Sequence, residues 1–590
     1  MKVFLKAAVL ILSAVLLVGT LSACGEKKAG SSGSGSETDN AETGDFNKYS
    51  YNVSVSLPGQ SGVAFLNEKA EIVVKIDNVS DYRTKNGKVK FDVGFIYGGD
   101  PKVTEVPFDE TKSADGITEV KLAVDTNILG YWGLDIDISL GENNLDKISR
   151  AYAVVNKPKN YGKVDPGSFF GTMFVPDGEA AQRIGVKHDR VCAYWRFTQR
   201  ADGTYDWSGL DHQFDICEAG NISIDLMIQP EVLLQGAILP GYEITSAEDI
   251  IRPDVLEGCK KWMREMIKRY KDRVSAIEII NEPDMNFTLW AGVSAERTGE
   301  IVAKVMAEGY KIVKQEAPHI PVVGLSVSER EYYNIDSGKP TSTEWIFKAA
   351  KGQKLADIFS IHPYSTKWDI SSSTRHLTPE EYGLFKYLKN GVQYAKSKGM
   401  NTVYMTEVGY TVRYDEPLLS HYRQIHAALA ARAMIMCKAF PEIKVGMYFD
   451  AYYEQAGDST TSMSLFNGSK KYGYFFPNPA AASFAAMSYI LHDAKPVEVI
   501  NNGEGEGKSN RLGAYRFETD TQSVVAIWKD RIAQDAEING VASLEAFDIY
   551  GNSLGKGNLK IALGDNPTYL VCDKAEGAKL STAVKQAIQG

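Results

Sequence analysis

AIEIINEP at residues 276–283 and TVYMTEVGY at residues 402–410 are short apolar runs that each close on a glutamate, Glu282 in the first and Glu407 in the second. Runs of this length, rich in Ile, Val and Tyr, read as strands buried on both faces. Six more lie around them: FFGTMF (169–174), KHDRVCAYW (187–195), ISIDLMIQP (222–230), PVVGLSV (321–327), DIFSIHPYS (357–365) and VGMYFDAYY (445–453). Longer stretches of helical periodicity separate them, and AAASFAAMSYILHDA (480–494) follows the last. Eight strand–helix pairs in residues 165–494 predict an α/β fold, a closed (β/α)8 TIM barrel. A doubly wound open sheet is the alternative, but no GxGxxG turn follows any strand.

Period-two alternation takes over on both sides. YNVSVSL, AEIVVKI and VKFDVGFIYG within residues 49–157 predict an N-terminal β-sandwich, and LGAYRFET and SVVAIWKD within 495–575 a C-terminal one. Tyr131 and Trp132 in the first sandwich are expected to pack in its core rather than to bind a ligand. Residues 576–590 form a weakly amphipathic tail.

At the N-terminus, Lys2 and Lys6 precede an apolar run from Ala7 to Ala23, the pattern of an export signal over residues 1–23. The run is shorter than the roughly 20 apolar residues that span a bilayer. Leu21-Ser22-Ala23-Cys24 resembles the lipobox of bacterial lipoproteins, which implies acylation of Cys24 and an extracytoplasmic protein anchored to the bacterial membrane by lipid alone. Residues 24–48, dominated by Gly, Ser and charged residues, read as a flexible linker.

Without Cys24, the remaining cysteines are Cys192, Cys217, Cys259, Cys437 and Cys572, an odd set with no CxxC or Cys/His spacing. That argues against a disulfide scaffold or zinc site and makes buried free thiols the default, with one incidental disulfide as the alternative. The formal charge of −10 and the absence of any basic run with interleaved aromatics argue against nucleic acid as a partner.

In such a barrel, chemistry sits where the strands end at their C-terminal side. Glu282 ends the fourth strand and Glu407 the seventh, which lie across the mouth from each other. Two carboxyl groups on opposite sides of a sugar are what glycosidic cleavage requires: one protonates the leaving oxygen, the other attacks the anomeric carbon or activates water.

NEP after the fourth strand and a glutamate after the seventh resemble clan A of the glycoside hydrolases. Within that clan the chain is most similar to family 39, through IEIINEPD (277–284), in which Glu278, Asn281 and Glu282 match in type. The resemblance covers the barrel and loosely the sandwich after it. It implies a retaining O-glycosyl hydrolase with Glu282 as general acid/base and Glu407 as nucleophile. Arg190 would hydrogen-bond Glu407, Asn281 would bind the sugar 2-hydroxyl, and His362 and Tyr364 would flank the nucleophile. Strict alternation turns Asn281 and Glu282 to opposite faces, so a bulge or strand end must bring both to the site. Glu278 should point into the barrel and ion-pair, with Arg190 as candidate partner. Trp195, Trp290, Trp368 and Tyr448, at or after strand ends, are candidate sugar platforms and equally candidates for packing. The chemistry requires no metal and no organic cofactor. The expected partner is an oligo- or polysaccharide, preferably β-linked. Two other readings stand beside this one: a non-catalytic carbohydrate-binding lipoprotein, and a clan A hydrolase of another family such as family 5.

Overall fold

The computed structural model describes residues 51–589 apart from 79–82, 114, 231–238, 240, 285–292, 329–339, 365–377, 414–416, 453–460, 470–472 and 505–510. Cys24, Trp290 and Trp368 lie outside the described residues. No helix among the described residues is long and apolar enough to cross a membrane.

Eight parallel strands close into a barrel: β1 (Phe170–Met173), β2 (His188–Tyr194), β3 (Ser223–Gln229), β4 (Ala276–Ile279), β5 (Val322–Val327), β6 (Ile358–Ile361), β7 (Val403–Val408) and β8 (Ile443–Tyr448). Each pairs with its neighbours in sequence, and β8 returns to β1 through Gly446–Phe170, Met447–Gly171 and Tyr448–Thr172. These are the eight runs read from the sequence. Seven connecting helices or helix pairs and a last one at Pro479–Ile490 cover the outside. Because both faces are covered, strands such as Ser223–Gln229 are buried at every position, which is why they read as continuous apolar runs rather than alternating ones.

The N-terminal part comprises a three-stranded sheet (51–56, 70–78, 117–124) facing a five-stranded one (63–65, 87–95, 102–108, 130–140, 143–155). Tyr131 is buried in its core, and Trp132 packs between Phe95 and Tyr152, as expected for structural aromatics. The sheet leans on the barrel where Leu419 enters beside Gly94 and Gly133; a Cβ on Gly94 would lie 2.7 Å from its methyl group.

The C-terminal part pairs a six-stranded sheet with a two-stranded one. Its tail forms a helix, Gly577–Gln589, whose Leu580, Ala583 and Val584 fill the core between the sheets. The weak periodicity of that tail concealed a packed element. The five described cysteines are free thiols.

A buried ionic cluster joins this part to the barrel. Arg432, on the helix after β7, reaches both Glu380 and Asp530, the latter 2.9 Å away in the C-terminal sheet region, and all three side chains are shielded from water. Trp528 Nε1 donates to Glu380 at 2.6 Å, and the Thr378 hydroxyl donates to Asp530 at 3.0 Å. Asp530 also has Arg511 3.8 Å away, but Glu380 depends on Arg432, and removing Arg432 leaves that buried carboxylate uncompensated, a cost of about 3–5 kcal/mol. Arg432→Met is therefore expected to lower the Tm sharply; a Tm within a degree of wild type in a thermal melt would contradict this.

Candidate active site

The site grows from the way β4 ends. Regular pleating stops at Ile279, and Ile280 (φ 67°) and Glu282 (φ 41°) both take left-handed backbone conformations. A β-branched residue at positive φ is a true outlier that surrounding structure must hold in place. The first turn swings Asn281 inward, and the second returns Glu282 to the same side. The irregular strand end anticipated from alternation is thus realised by two left-handed residues. The backbone N–H of Asn281, freed from the ladder, donates to Gln229 Oε1 at 2.9 Å at the end of β3. Asp284, just beyond, accepts from the backbone N–H of Ser328 at 3.0 Å and from its hydroxyl, tying this turn to the end of β5. Phe174 after β1 and Leu325 within β5 are also left-handed. Strain is gathered at the C-terminal rim.

Arg190 on β2 organises the floor. Its Nε donates to Glu278 Oε2 at 2.9 Å and its Nη2 to Glu278 Oε1, while Nη2 also reaches Asn281 Oδ1 at 2.8 Å and Nη1 reaches Glu407 Oε1 at 2.5 Å. One guanidinium fork thereby links β2, β4 and β7. Glu278 forms the structural ion pair expected of it, and Ser326 of β5 donates to its Oε1 at 2.5 Å. Replacing Arg190 by Met would strip two buried carboxyl groups of their shared cation. We expect a loss of about 3–5 kcal/mol, read as a lowered Tm, accompanied by loss of whatever activity Glu407 carries.

Glu407, near the end of β7, accepts from Arg190 on one oxygen and from the Tyr364 hydroxyl, 2.6 Å away, on the other. Burial and the adjacent carboxylate hold the Tyr364 phenol well above its usual range, so it stays a donor. Glu282 is held differently. Its Oε1 lies 3.0 Å from His362 Nδ1, and its side chain keeps 22% of its exposure, opening into the mouth. Burial raises its pKa to about 7, against a lowering influence from Arg190. Burial likewise depresses His362 to about 4, leaving the imidazole neutral. One carboxyl oxygen of Glu282, one of Glu407 and a ring nitrogen of His362 all lie within 4.8 Å of one another.

By distance those three groups could embrace a small cation. Yet Glu407 already accepts from the Arg190 guanidinium on one oxygen and from Tyr364 on the other, so a positive charge occupies that place. A second group, Asp165, His492 and Asp493, sits beside Lys159 and Lys438, whose charges oppose cation binding.

The structure therefore brings together Arg190, Asn281, Glu282, His362, Tyr364 and Glu407. Trp195 and Tyr448 correct the sequence reading, for neither offers a face to a ligand. Trp195 is fully buried, stacked on Trp262 and donating from Nε1 to Gln199, and Tyr448 is fully buried with its hydroxyl between His426 and the Tyr410 N–H. Packing claimed both because each ring points to the helix layer instead of the mouth. Phe449, the next residue after β8, was overlooked: it is half-buried, edge-on to both Tyr364 and Phe174. Asp450 was also missed. It is buried, accepts from the Ser464 hydroxyl, and is pushed by burial up to about 7. No motif marks Gln229, Ser326 or Thr406, whose parts are set by contacts between strands distant in sequence.

Fold and site together define a (β/α)8-barrel protein with two carboxyl groups facing each other over the C-terminal mouth. No known family profile matches the chain, and no curated protein sequence matches it. Among solved structures it is similar to a family 39 glycoside hydrolase from the gut symbiont Bacteroides cellulosilyticus WH2, with a TM-score of 0.59 and 17% identity over 88% of this chain and 99% of that one. A β-glucuronidase of Bacteroides uniformis matches with a TM-score of 0.36 and 12% identity, over 88% of this chain and 59% of that one. A virulence factor of Agrobacterium tumefaciens matches at 0.38 and 12%, over 53% and 84%. At 17% identity the likeness to the family 39 enzyme is one of fold.

Proposed function

We propose that this chain is a retaining glycoside hydrolase of the family 39 type, carried outside the cytoplasm on a lipid at Cys24 and acting on a β-linked oligo- or polysaccharide. The observation that carries the reading is the carboxyl pair: oxygens of Glu282 and Glu407 within 4.8 Å. Retaining hydrolysis uses a separation of about 5–5.5 Å, whereas inversion needs roughly 6.5–9.5 Å to admit a water between acid and base. The unlike settings of the two groups support the division of labour. Glu282, with its raised pKa, keeps a proton to give, and Glu407 is aimed by two donors.

In the first step Glu282 passes its proton to the glycosidic oxygen as Glu407 attacks the anomeric carbon; the C–O bond breaks, the alcohol leaves, and a glycosyl ester forms on Glu407. Water then attacks the same carbon from the vacated side, giving its proton to Glu282 and releasing Glu407. Asn281, with its carbonyl oxygen held by Arg190, directs its amide N–H groups to the sugar 2-hydroxyl, a contact that tightens as the ring becomes oxocarbenium-like.

Assay of wild type and Glu407→Ala on a panel of aryl glycosides, with the anomer of the first-formed product followed by NMR, tests the proposal. Turnover with retained configuration, lost in the variant, is the expected result. Inverted product would refute the mechanism, and sugar binding with no turnover on any glycoside would make the chain a carbohydrate-binding lipoprotein instead.

A further inference from the structure

A chain of hydrogen bonds runs behind Glu282. Ser360 Oγ of β6 lies 2.6 Å from Thr406 Oγ1 of β7, Thr406 Oγ1 lies 2.9 Å from His362 Nε2, and His362 Nδ1 lies 3.0 Å from Glu282 Oε1. Ser360, Thr406 and His362 are all buried. Among the described residues the Ser360 hydroxyl has one partner, Thr406. These are three contacts, served by three protons: one on each hydroxyl and one on the neutral imidazole.

Only one ordering uses every proton. Suppose the bonds ran away from Glu282, with Nε2–H donating to Thr406 and Thr406 to Ser360. The Ser360 proton would then be buried without an acceptor, which carries the full desolvation penalty of a polar group. Suppose both Ser360 and Nε2–H donated to Thr406. Then the Thr406 proton would be stranded. With the order reversed, Ser360 donates to Thr406, Thr406 to Nε2, and Nδ1–H to Glu282, and no hydrogen lacks an acceptor.

We infer that Thr406 and Ser360 are positioning residues that lock His362 as its Nδ1–H tautomer, making it a permanent donor to Glu282 Oε1 and leaving Oε2 as the oxygen that carries the catalytic proton. This rests on the hydrolase reading for its consequence, though not for the tautomer itself. A carboxyl group must serve as acid in one step and base in the next. With Oε1 held by a donor in both states, Oε2 gives and receives the proton at one fixed point over the sugar. Hydroxyls suit the relay because Thr406 must accept on one side and donate on the other, which neither an amide nitrogen nor an apolar group does. The other charged or titratable groups facing the Glu282–His362 pair are Arg190 from β2, Glu278 from β4, Tyr364 after β6 and Glu407 from β7, and Asp450 after β8 acts on Tyr364 and Glu407 in turn. None of them touches Nε2, so the tautomer is set from the Thr406 side.

The test has two arms. In the full chain with 15N-labelled histidine, long-range nitrogen–proton correlation spectra at pH 6 and pH 8 report which ring nitrogen of His362 is protonated, with the signal assigned by its loss in His362→Gln. A protonated Nδ1 at both pH values is expected. Protonated Nε2 would overturn the inference whether or not the chain hydrolyses any glycoside, so this arm fails independently of the functional reading. In the second arm, Thr406→Val removes the donor to Nε2. Rings that adopt Nε2–H then present a lone pair to Oε1, drawing the proton of Glu282 away from the substrate. We expect kcat to fall about tenfold and the basic limb of the pH profile to move upward, with both restored by Thr406→Ser. Identical pH limbs in the Val and Ser variants would remove Thr406 from the relay.

Discussion

Glu407→Ala is expected to lower kcat by about 10^4-fold or more on every substrate the wild type cleaves, because in the proposed double displacement no covalent intermediate forms without this carboxylate. The fold should survive. Arg190 is shared between Glu278 and Glu407, so deleting the latter leaves the guanidinium paired with Glu278 and bonded to Asn281. Loss of activity with an unchanged Tm therefore separates this variant from Arg190→Met, which should lose both. An activated 2-fluoro-glycoside should trap the intermediate, and peptide mapping should place the sugar on Glu407. A label on any other residue would reassign the nucleophile.

Glu282→Gln should cost about 10^2- to 10^4-fold in kcat on substrates with poor leaving groups, the usual worth of a positioned general acid. Glycosides whose leaving group needs no proton should recover the first step and show a burst, followed by slow release, since the variant also lacks the base. The pH dependence follows from the pKa of about 7 produced by burial. The acid form is present below that value and is lost as pH rises through it, so kcat/KM should descend on a limb centred near pH 7. That limb should vanish in Glu282→Gln. The same shift bears on stability. A carboxyl group whose pKa is raised on folding favours the folded state fully below its unfolded value, and that contribution disappears as pH climbs through 7. The Gln variant should therefore gain in Tm relative to wild type at pH 8 and match it at pH 4. A kcat/KM profile with no limb near 7 in the wild type would sink the assignment of Glu282 as the acid.

Much of this was readable from residue order because burial on both faces leaves an unmistakable trace. The eight barrel strands are apolar at nearly every position, and a closed parallel barrel places their C-terminal ends together, so the pairing of Glu282 with Glu407 is legible in the sequence. Arg190, Asn281, His362 and Tyr364 were likewise within reach, through the resemblance of the segments that carry them to clan A of the glycoside hydrolases. The aromatics were not. Trp195 and Tyr448 occupy equivalent positions in sequence to a platform residue, yet each turned outward to the helices, and Phe449, one residue along, turned to the mouth. A shift of one position reverses the face a side chain occupies, and nothing local to these segments determines it.

What the order of residues determined by itself was the architecture and the two carboxyl groups that meet at its mouth, since hydrophobic period and strand ends are properties of contiguous stretches. The tertiary structure alone decided how those groups are held. The fork of Arg190 across three strands and the relay from Ser360 through Thr406 to His362 both join residues from separate strands. Contacts of that kind exist only once the ring has closed, because it is closure that brings β2, β4, β6 and β7 within hydrogen-bonding reach of a common axis.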